Sequence, residues 1–347
     1  NMHAAIQWLT ASARTGDMES LEKGLLLAGH LNWFWHIGGQ HLTARVTVDA
    51  LLGLAAGREP SRGRSLARLT RAMISTVTGE WDRCLGEGLG AVSDAEAVGD
   101  QVAASEGMMY AGYRHLHGGQ MDESRAALDN SIVRSGGGVS EFVLSLSMAI
   151  KGMLLFVTGD IEAGSKLVEE ARVMQERRGD YEQGGVGLSF LAQMTFARGD
   201  HVKALALYRQ SLAALETVGD RPEIARVLCE MGWTALAAAD GAEALRSFQL
   251  AVREYEAVGS PRGTGLALMG LAAVEAAAGR PERAVVIAAA ADALSKRAGI
   301  VVDHTMDPGV VGRIEALKAS IPRGTLEGLV ANASELTPAA VLAMVGA

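Results

Sequence analysis

Eight histidines, two cysteines and one glycine-rich stretch are the places in this sequence where chemistry could be sought. His115 and His117 stand two positions apart, which on a helix points them to different faces, so they do not form a ligand pair. Their expected role is a favourable interaction with the negative end of a helix dipole. His30, His36 and His41 surround Asn32, Trp33, Phe34 and Trp35 without helical ligand spacing and are expected at a core edge or on the surface. Cys84 and Cys229 are far apart and build neither a disulfide framework nor a Cys-rich metal site, which suits a reducing cytoplasm. The stretch RSGGGVSE (134–141) lacks the Lys-Ser/Thr pair of a phosphate-binding loop and reads as a broken helix turn. There is no HExxH, GxSxG or CxxC, and no pair of carboxylates spaced for acid–base work. Catalysis, a cofactor and a bound metal are therefore not expected.

The bulk properties point the same way. At 347 residues and 49% hydrophobic, the chain can bury a large core, but a single compact core rarely grows so far. Several domains or an elongated stack of repeats are expected. Aromatics make up only 5% and prolines number seven, which suits a nearly all-helical protein. The net charge is −8 with no basic cluster, so direct contact with nucleic acid is not expected. No apolar run reaches membrane-spanning length, and the expected location is the cytoplasm.

The elements that would position any site announce themselves through glycine. Gly39, Gly79, Gly119, Gly159, Gly199 and Gly279 form one series with a forty-residue step, and Gly99, Gly179, Gly219, Gly259 and Gly299 form a second, halfway between. The missing beats are Ala239, followed by Asp240 and Gly241, and Val139, which follows Gly136–Gly138. Glycine accepts the left-handed conformation that ends a helix, and a following Asp, Glu, Ser or Gln can bond the free amides that open the next. Each unit is thus helix, turn, helix, turn, with helices roughly 25 Å long. Small residues keep the same step: Ala72, Gly112, Gly152, Ala192, Gly232 and Ala272 in the first helix of each pair, and Ala91, Ser131, Ala171, Ser211, Ala251 and Ala291 in the second. Glycine inside a helix costs about 1 kcal/mol against alanine, so its recurrence there implies a close helix crossing.

This pattern is similar to the tetratricopeptide repeat. Ala192 is followed at the repeat's spacing by Ala204, Tyr208 and Ser211, and Gly232 by Ala244, Phe248 and Ala251. The predicted fold is an all-α, right-handed superhelical solenoid of tetratricopeptide-like hairpins. A capping helix over residues 1–17, seven hairpins over 18–298 and a helical cap over 299–347 are expected, with Thr337 capping a helix that opens on Pro338. In tetratricopeptide geometry the residue after the small position of the first helix faces a concave groove. That row is Trp33, Met73, Tyr113, Met153, Gln193, Trp233 and Ala273, and the row four residues earlier is Leu69, Met109, Ala149, Ser189, Cys229 and Met269. Met73, Glu106, Met109, Tyr113, Met153, Gln193, Arg226 and Trp233 are the candidate binding residues, the methionines and aromatics offering an adaptable apolar surface. The alternative is that these rows turn inward as core. The Trp33–Phe34–Trp35 cluster is expected as a wedge between the leading helix and the first hairpin, with a ligand platform as the alternative.

Both ends carry a further resemblance. NMHAAIQWLTASARTGD and LAGHLNWFWHIGGQHLTAR resemble the opening of the helical-repeat region of bacterial STAND-class signalling ATPases, the AfsR-like and large LuxR-type regulators, and the forty-residue hairpins are similar to the MalT-type sensor superhelix. The closing RIEALKASIPRGTLEGLVANASELTPAAVLAMV looks like the end of that region, with Leu326 and Leu329 in hydrophobic slots and Asn332 where Trp or Gly is commoner. The resemblance implies a non-catalytic sensor arm that binds a small-molecule effector or a protein or peptide, in intramolecular contact with an upstream NTPase module. A scaffold that takes a peptide or helix of a partner protein is the second reading.

Overall fold

The computed structural model of the chain describes residues 2–298, 315–316, 318–319, 321–333 and 335–346. Among them, every regular element is a helix: α1 Met2–Arg14, α2 Met18–His30, α3 Asn32–Ile37, α4 His41–Leu54, α5 Arg62–Thr78, α6 Trp81–Val98, α7 Gln101–His117, α8 Met121–Ser135, α9 Glu141–Val157, α10 Ile161–Arg177, α11 Tyr181–Ala197, α12 His201–Val218, α13 Arg221–Ala237, α14 Gly241–Ala257, α15 Pro261–Ala277, α16 Pro281–Arg297, α17 Arg323–Ala333 and α18 Pro338–Met344. Residues 299–314, the first part of the expected helical cap, lie outside the described residues.

The helices fall into two compact units. The first runs through Met194 and includes Thr217–Asp220; the second takes Thr195–Glu216 and everything from Arg221 onward. Within the first, α5 pairs with α6, α7 with α8 and α9 with α10, while α6 also packs on α7 and α8 on α9. Within the second, α13 pairs with α14 and α15 with α16, and α17 packs on α16. The chain is thus a tetratricopeptide-like solenoid of repeated helix pairs.

The turns follow the glycine beat. Gly79, Gly99, Gly119, Gly159, Gly179, Gly199, Gly219, Gly259 and Gly279 all have positive φ. At the missing beat, Ala239 takes the left-handed conformation itself, with φ 61°, alone in this among the described non-glycine residues. Aspartates then restart helices: Asp100 accepts from the Ala103 amide at 3.0 Å, Asp160 from Ala163 at 3.1 Å and Asp240 from Glu243 at 3.0 Å. Thr337 caps α18 through the Ala340 amide, with Pro338 in the first turn. The longer side chains behave differently from expectation, since Gln40, Glu80 and Gln120 make no capping bond. Glu80 is drawn instead to Arg71, a buried guanidinium that also bonds Asp49 and the Ser75 hydroxyl, each at 2.7 Å. Satisfying that buried charge outweighs one cap.

The small rows mark the crossings. A Cβ on Gly112 would meet Leu128 Cγ at 2.6 Å, one on Gly152 would meet Val168 Cγ2 at 2.5 Å, and one on Gly232 would meet the Phe248 ring at 2.8 Å. Ala72, Ala192 and Ala272 are fully buried, as are Ala91, Ser131, Ala171, Ser211 and Ala251. Buried serine fits there because its hydroxyl finds a carbonyl across the crossing, as Ser131 Oγ does on Ser105 O at 2.7 Å.

Candidate binding surface of the first unit

One interval departs from the helix–turn–helix rule. After α2 the chain breaks at Leu31 (φ −85°, ψ 3°), makes the six-residue helix α3, and resumes in α4. No glycine or proline stands at Leu31; the break lets an aromatic segment lie across helices that come later in the chain. Trp35 goes into the core at 3% exposure, while Phe34 remains half exposed. Trp33 meets Phe142 of α9 edge-on, with ring centroids 5.5 Å apart. The Arg178 guanidinium lies 5.8 Å from the centre of the same Phe142 ring and is held by the Glu141 carbonyl at 2.7 Å and by Asp180 at 3.2 Å. Trp33 is therefore not a wedge between the leading helix and the first hairpin: it reaches α9, because the turn at Leu31 aims it there.

Polar groups gather under the same segment. Asn32 is buried and its side chain interacts with the Tyr110 hydroxyl of α7. The Tyr110 hydroxyl titrates well above the usual tyrosine range, first because it is buried and then because Glu106 and Glu182 lie near it. Burial, reinforced by Asp100, lifts the Glu106 carboxyl to about 7. His36 lies edge-on to Trp33 at 5.4 Å and to His41 at 5.7 Å. Burial, helped by His36, depresses His41 to about 4, so its ring is neutral at physiological pH. The Nε2 of His36 lies 3.7 Å from Asp220 Oδ2, and Glu182 completes a group whose ligand atoms are all within 4.8 Å of one another. The sequence carries no sign of a metal-ligand grouping here, since the spacing around Asn32–Trp35 points to His36 as a core-edge or surface residue. Its three members come from distant parts of the chain, and Asp220 carries only the signature of a helix restart after Gly219.

The candidate residues of the two repeat rows separate by burial. The companion row is core: Leu69, Met109, Ala149, Cys229 and Met269 are between 2% and 7% exposed, and Ser189 is fully buried. The other row keeps partial access at Trp33, Tyr113, Met153, Gln193, Trp233 and Ala273, with Met73 its one member in the core. Met73 and Met109 share a single apolar cluster with Leu31 and Trp35, against which Trp33, Tyr113 and Phe142 pack. Tyr113 also meets His117 at 4.5 Å with the rings tilted and stands beside Trp81 at 6.3 Å, while His117 stacks on Trp81 at 4.9 Å. Met73, Met109 and Tyr113 are thus brought together, with Glu106 beside them on α7. Arg226 and Trp233 belong to the second unit, where Arg226 is tied to Glu223 and Glu230 of its own helix, each at 2.6 Å, and Trp233 meets Phe248 edge-on at 5.0 Å.

The remaining sequence candidates have structural roles. His115 bonds Gln120 through Nδ1 at 2.8 Å. Gly137 and Gly138 take positive φ in the turn before α9, whose first amides Ser140 caps. Cys84 and Cys229 are buried, and burial pushes both thiols up to about 12, out of the reactive range. Among the described residues, no helix is long and apolar enough to cross a membrane.

Comparison with known proteins agrees with this geometry. Residues 185–257 match the tetratricopeptide repeat family, across the stretch where Tyr208 and Phe248 are buried at 2% and 0%. No curated protein matches the chain. A Rap protein solved in complex with competence and sporulation factor is similar over 91% of this chain and 88% of its own, at 8% identity and a TM-score of 0.64. A STAND protein with a tetratricopeptide repeat sensor, from Pyrococcus horikoshii, is similar over 94% of this chain and 50% of its own, at 11% identity and a TM-score of 0.57. BtubC from P. vanneervenii is similar over 65% of this chain and 95% of its own, at 14% identity and a TM-score of 0.52. At such identities the likeness is one of fold: the chain is built as a tetratricopeptide-like solenoid.

Proposed function

We propose that this chain is a non-catalytic sensor or regulatory module of a multidomain bacterial signalling or transcription-regulating protein, and that its repeat wall receives a short helix or peptide. The observation that carries the reading is α3. An aromatic helix, set free by the break at Leu31, lies along residues of α7, α9 and α11 and shares a core with Met73 and Met109. A wall that accepts one such helix from its own chain has the chemistry to accept another, with aromatic anchors in an apolar seat and polar groups at its edge. The likeness to a Rap protein solved with a bound factor and to the sensor of a STAND protein supports this direction.

In this reading Tyr113, Met153 and Gln193 are contact residues, Met73 and Met109 the floor, and Glu106 the acidic edge. Arg226 and Trp233 are a second contact set on the second unit. A protein or peptide ligand is favoured over a small apolar effector, because the resident occupant is itself a peptide segment. An upstream NTPase module and the cytoplasm are the setting in which such a module would work.

The test uses the chain's own segment as probe. A fluorescein-labelled peptide of residues 29–39 is titrated into the full chain and into Trp33→Ala, with helicity checked by circular dichroism. Trp33→Ala removes the resident ring from Phe142 and is expected to bind the peptide at least tenfold more tightly than the unmodified chain, and Tyr113→Ala in that background is expected to weaken the binding. A folded Trp33→Ala variant that ignores the peptide overturns the reading.

A further inference from the structure

We infer that His36, Glu182 and Asp220 form a binding site for a first-row divalent transition cation, which would hold α3 to the repeats. The site is independent of whether the wall takes a partner peptide.

The three side chains are brought to one place by different parts of the first unit: His36 by α3, Glu182 by the first turn of α11, and Asp220 by the Thr217–Asp220 segment. One ligand atom from each lies within 4.8 Å of the other two. A zinc-sized ion with ligand distances of about 2.0–2.2 Å sets tetrahedral donors roughly 3.4 Å apart, so closure asks for shifts of about an ångström per side chain. The donor set is one imidazole and two carboxylates, which suits zinc and its neighbours better than magnesium or calcium.

Burial favours ligation here. Asp220 is 0% exposed and Glu182 7%, and the His36 side chain is 12% exposed. Donors held this far out of water compete little with solvent for a bound ion, and the surrounding packing fixes their orientation. Glu182 already accepts a hydrogen bond from the Gln183 side chain, the kind of outer contact that orients a ligating carboxylate.

A second observation is independent of the carboxylates. His36 Nδ1 is buried and has no hydrogen-bond partner, and the same holds for Nε2 of His41, a residue 5% exposed whose ring stands 5.7 Å from that of His36. One imidazole of the carboxylate group and a second beside it thus each carry an unmet ring nitrogen. His41 is the candidate fourth ligand, reached by a side-chain rotation, with solvent as the substitute.

The experiment uses the full chain, stripped with a chelator and dialysed. Zinc chloride is titrated against a chromophoric competitor, and bound metal is counted by mass spectrometry after dialysis. One zinc per chain is expected, with at least a tenfold loss of affinity in His36→Gln and in Glu182→Gln. His3→Gln, at an exposed histidine on α1, is expected to change nothing. Cobalt(II) in place of zinc is expected to give visible bands of nitrogen and oxygen ligation that disappear in His36→Gln. Circular dichroism and melting in chelator show whether the variants are folded; should His36→Gln not fold, Glu182→Gln decides. A stoichiometry near zero, affinity unchanged in the folded variants, or displacement of zinc by equimolar magnesium or calcium would each overturn the site.

Discussion

Glu106→Gln separates a buried acid that shapes stability from one that merely sits on a surface. The carboxyl is lifted from 4.5 to about 7, first by burial and then by Asp100, and it lies beside the buried Tyr110 hydroxyl. In the unfolded chain it would titrate near its ordinary value. Because the folded value is the higher one, the stabilising contribution is fully present below pH 4.5 and is lost as pH rises through 7. The whole interval corresponds to about 3 kcal/mol. Solvent still reaches part of the side chain, so a loss of about 1–3 kcal/mol is the working expectation. Glutamine keeps the shape and cannot ionise. Urea unfolding of both proteins at half-unit steps from pH 4.5 to 8 is the assay. The two stabilities are expected to agree at the acid end and to diverge towards pH 8, with Glu106→Gln the more stable. Parallel curves over the whole range would refute the reasoning, because they would place Glu106 in water.

Two further substitutions test the turns and the crossings. Ala239→Gly should raise stability by about 0.5–1 kcal/mol in urea melts, since Ala239 holds a left-handed conformation that glycine adopts without strain; an equal loss would mean that unfolded-state entropy outweighs the strain. Gly152→Ala should destabilise by about 1–3 kcal/mol despite alanine's better helix propensity, because its Cβ would lie 2.5 Å from Val168 Cγ2 and 2.9 Å from the Gly164 carbonyl oxygen; Gly86→Ala, with nothing within 4 Å, should instead stabilise by about 0.5–1 kcal/mol.

The repeat was legible because each of its marks is a backbone requirement. Gly99 and Gly159 are where the chain must turn left-handed, and Gly112 and Gly152 are where a second helix leaves no room for a Cβ. Such demands fall on one residue at a time and therefore show in sequence. Even Ala239 was visible, as a missing beat before Asp240. Inward and outward rows were harder, because Met73 and Met153 are the same residue type at the same repeat position and differ only in what lies over them: Met73 is core and Met153 half-buried. That difference is set by tertiary packing, which a local pattern does not encode.

The segment that covers the wall was the least legible, and the reason bears on function. Between α2 and α4 the glycine beat is intact at Gly39, so the rhythm predicts an ordinary hairpin; only the break at Leu31 turns Asn32–Ile37 into a separate helix. A free-standing helix of six residues is too short to persist by its own hydrogen bonds. It must be held by what it touches: the neighbouring helices α2, α4 and α5, and beyond them Phe142, the Tyr110 region, and the group of Glu182 and Asp220. The last three lie far from it in sequence. Propensity in Asn32–Ile37 itself is therefore a weak control on whether α3 stays docked, and side chains on later repeats take part in holding it. An element of this kind, weak alone and held by side chains distant in sequence, is what the proposed regulatory role calls for, and the interruption of the repeat is where the molecule has one.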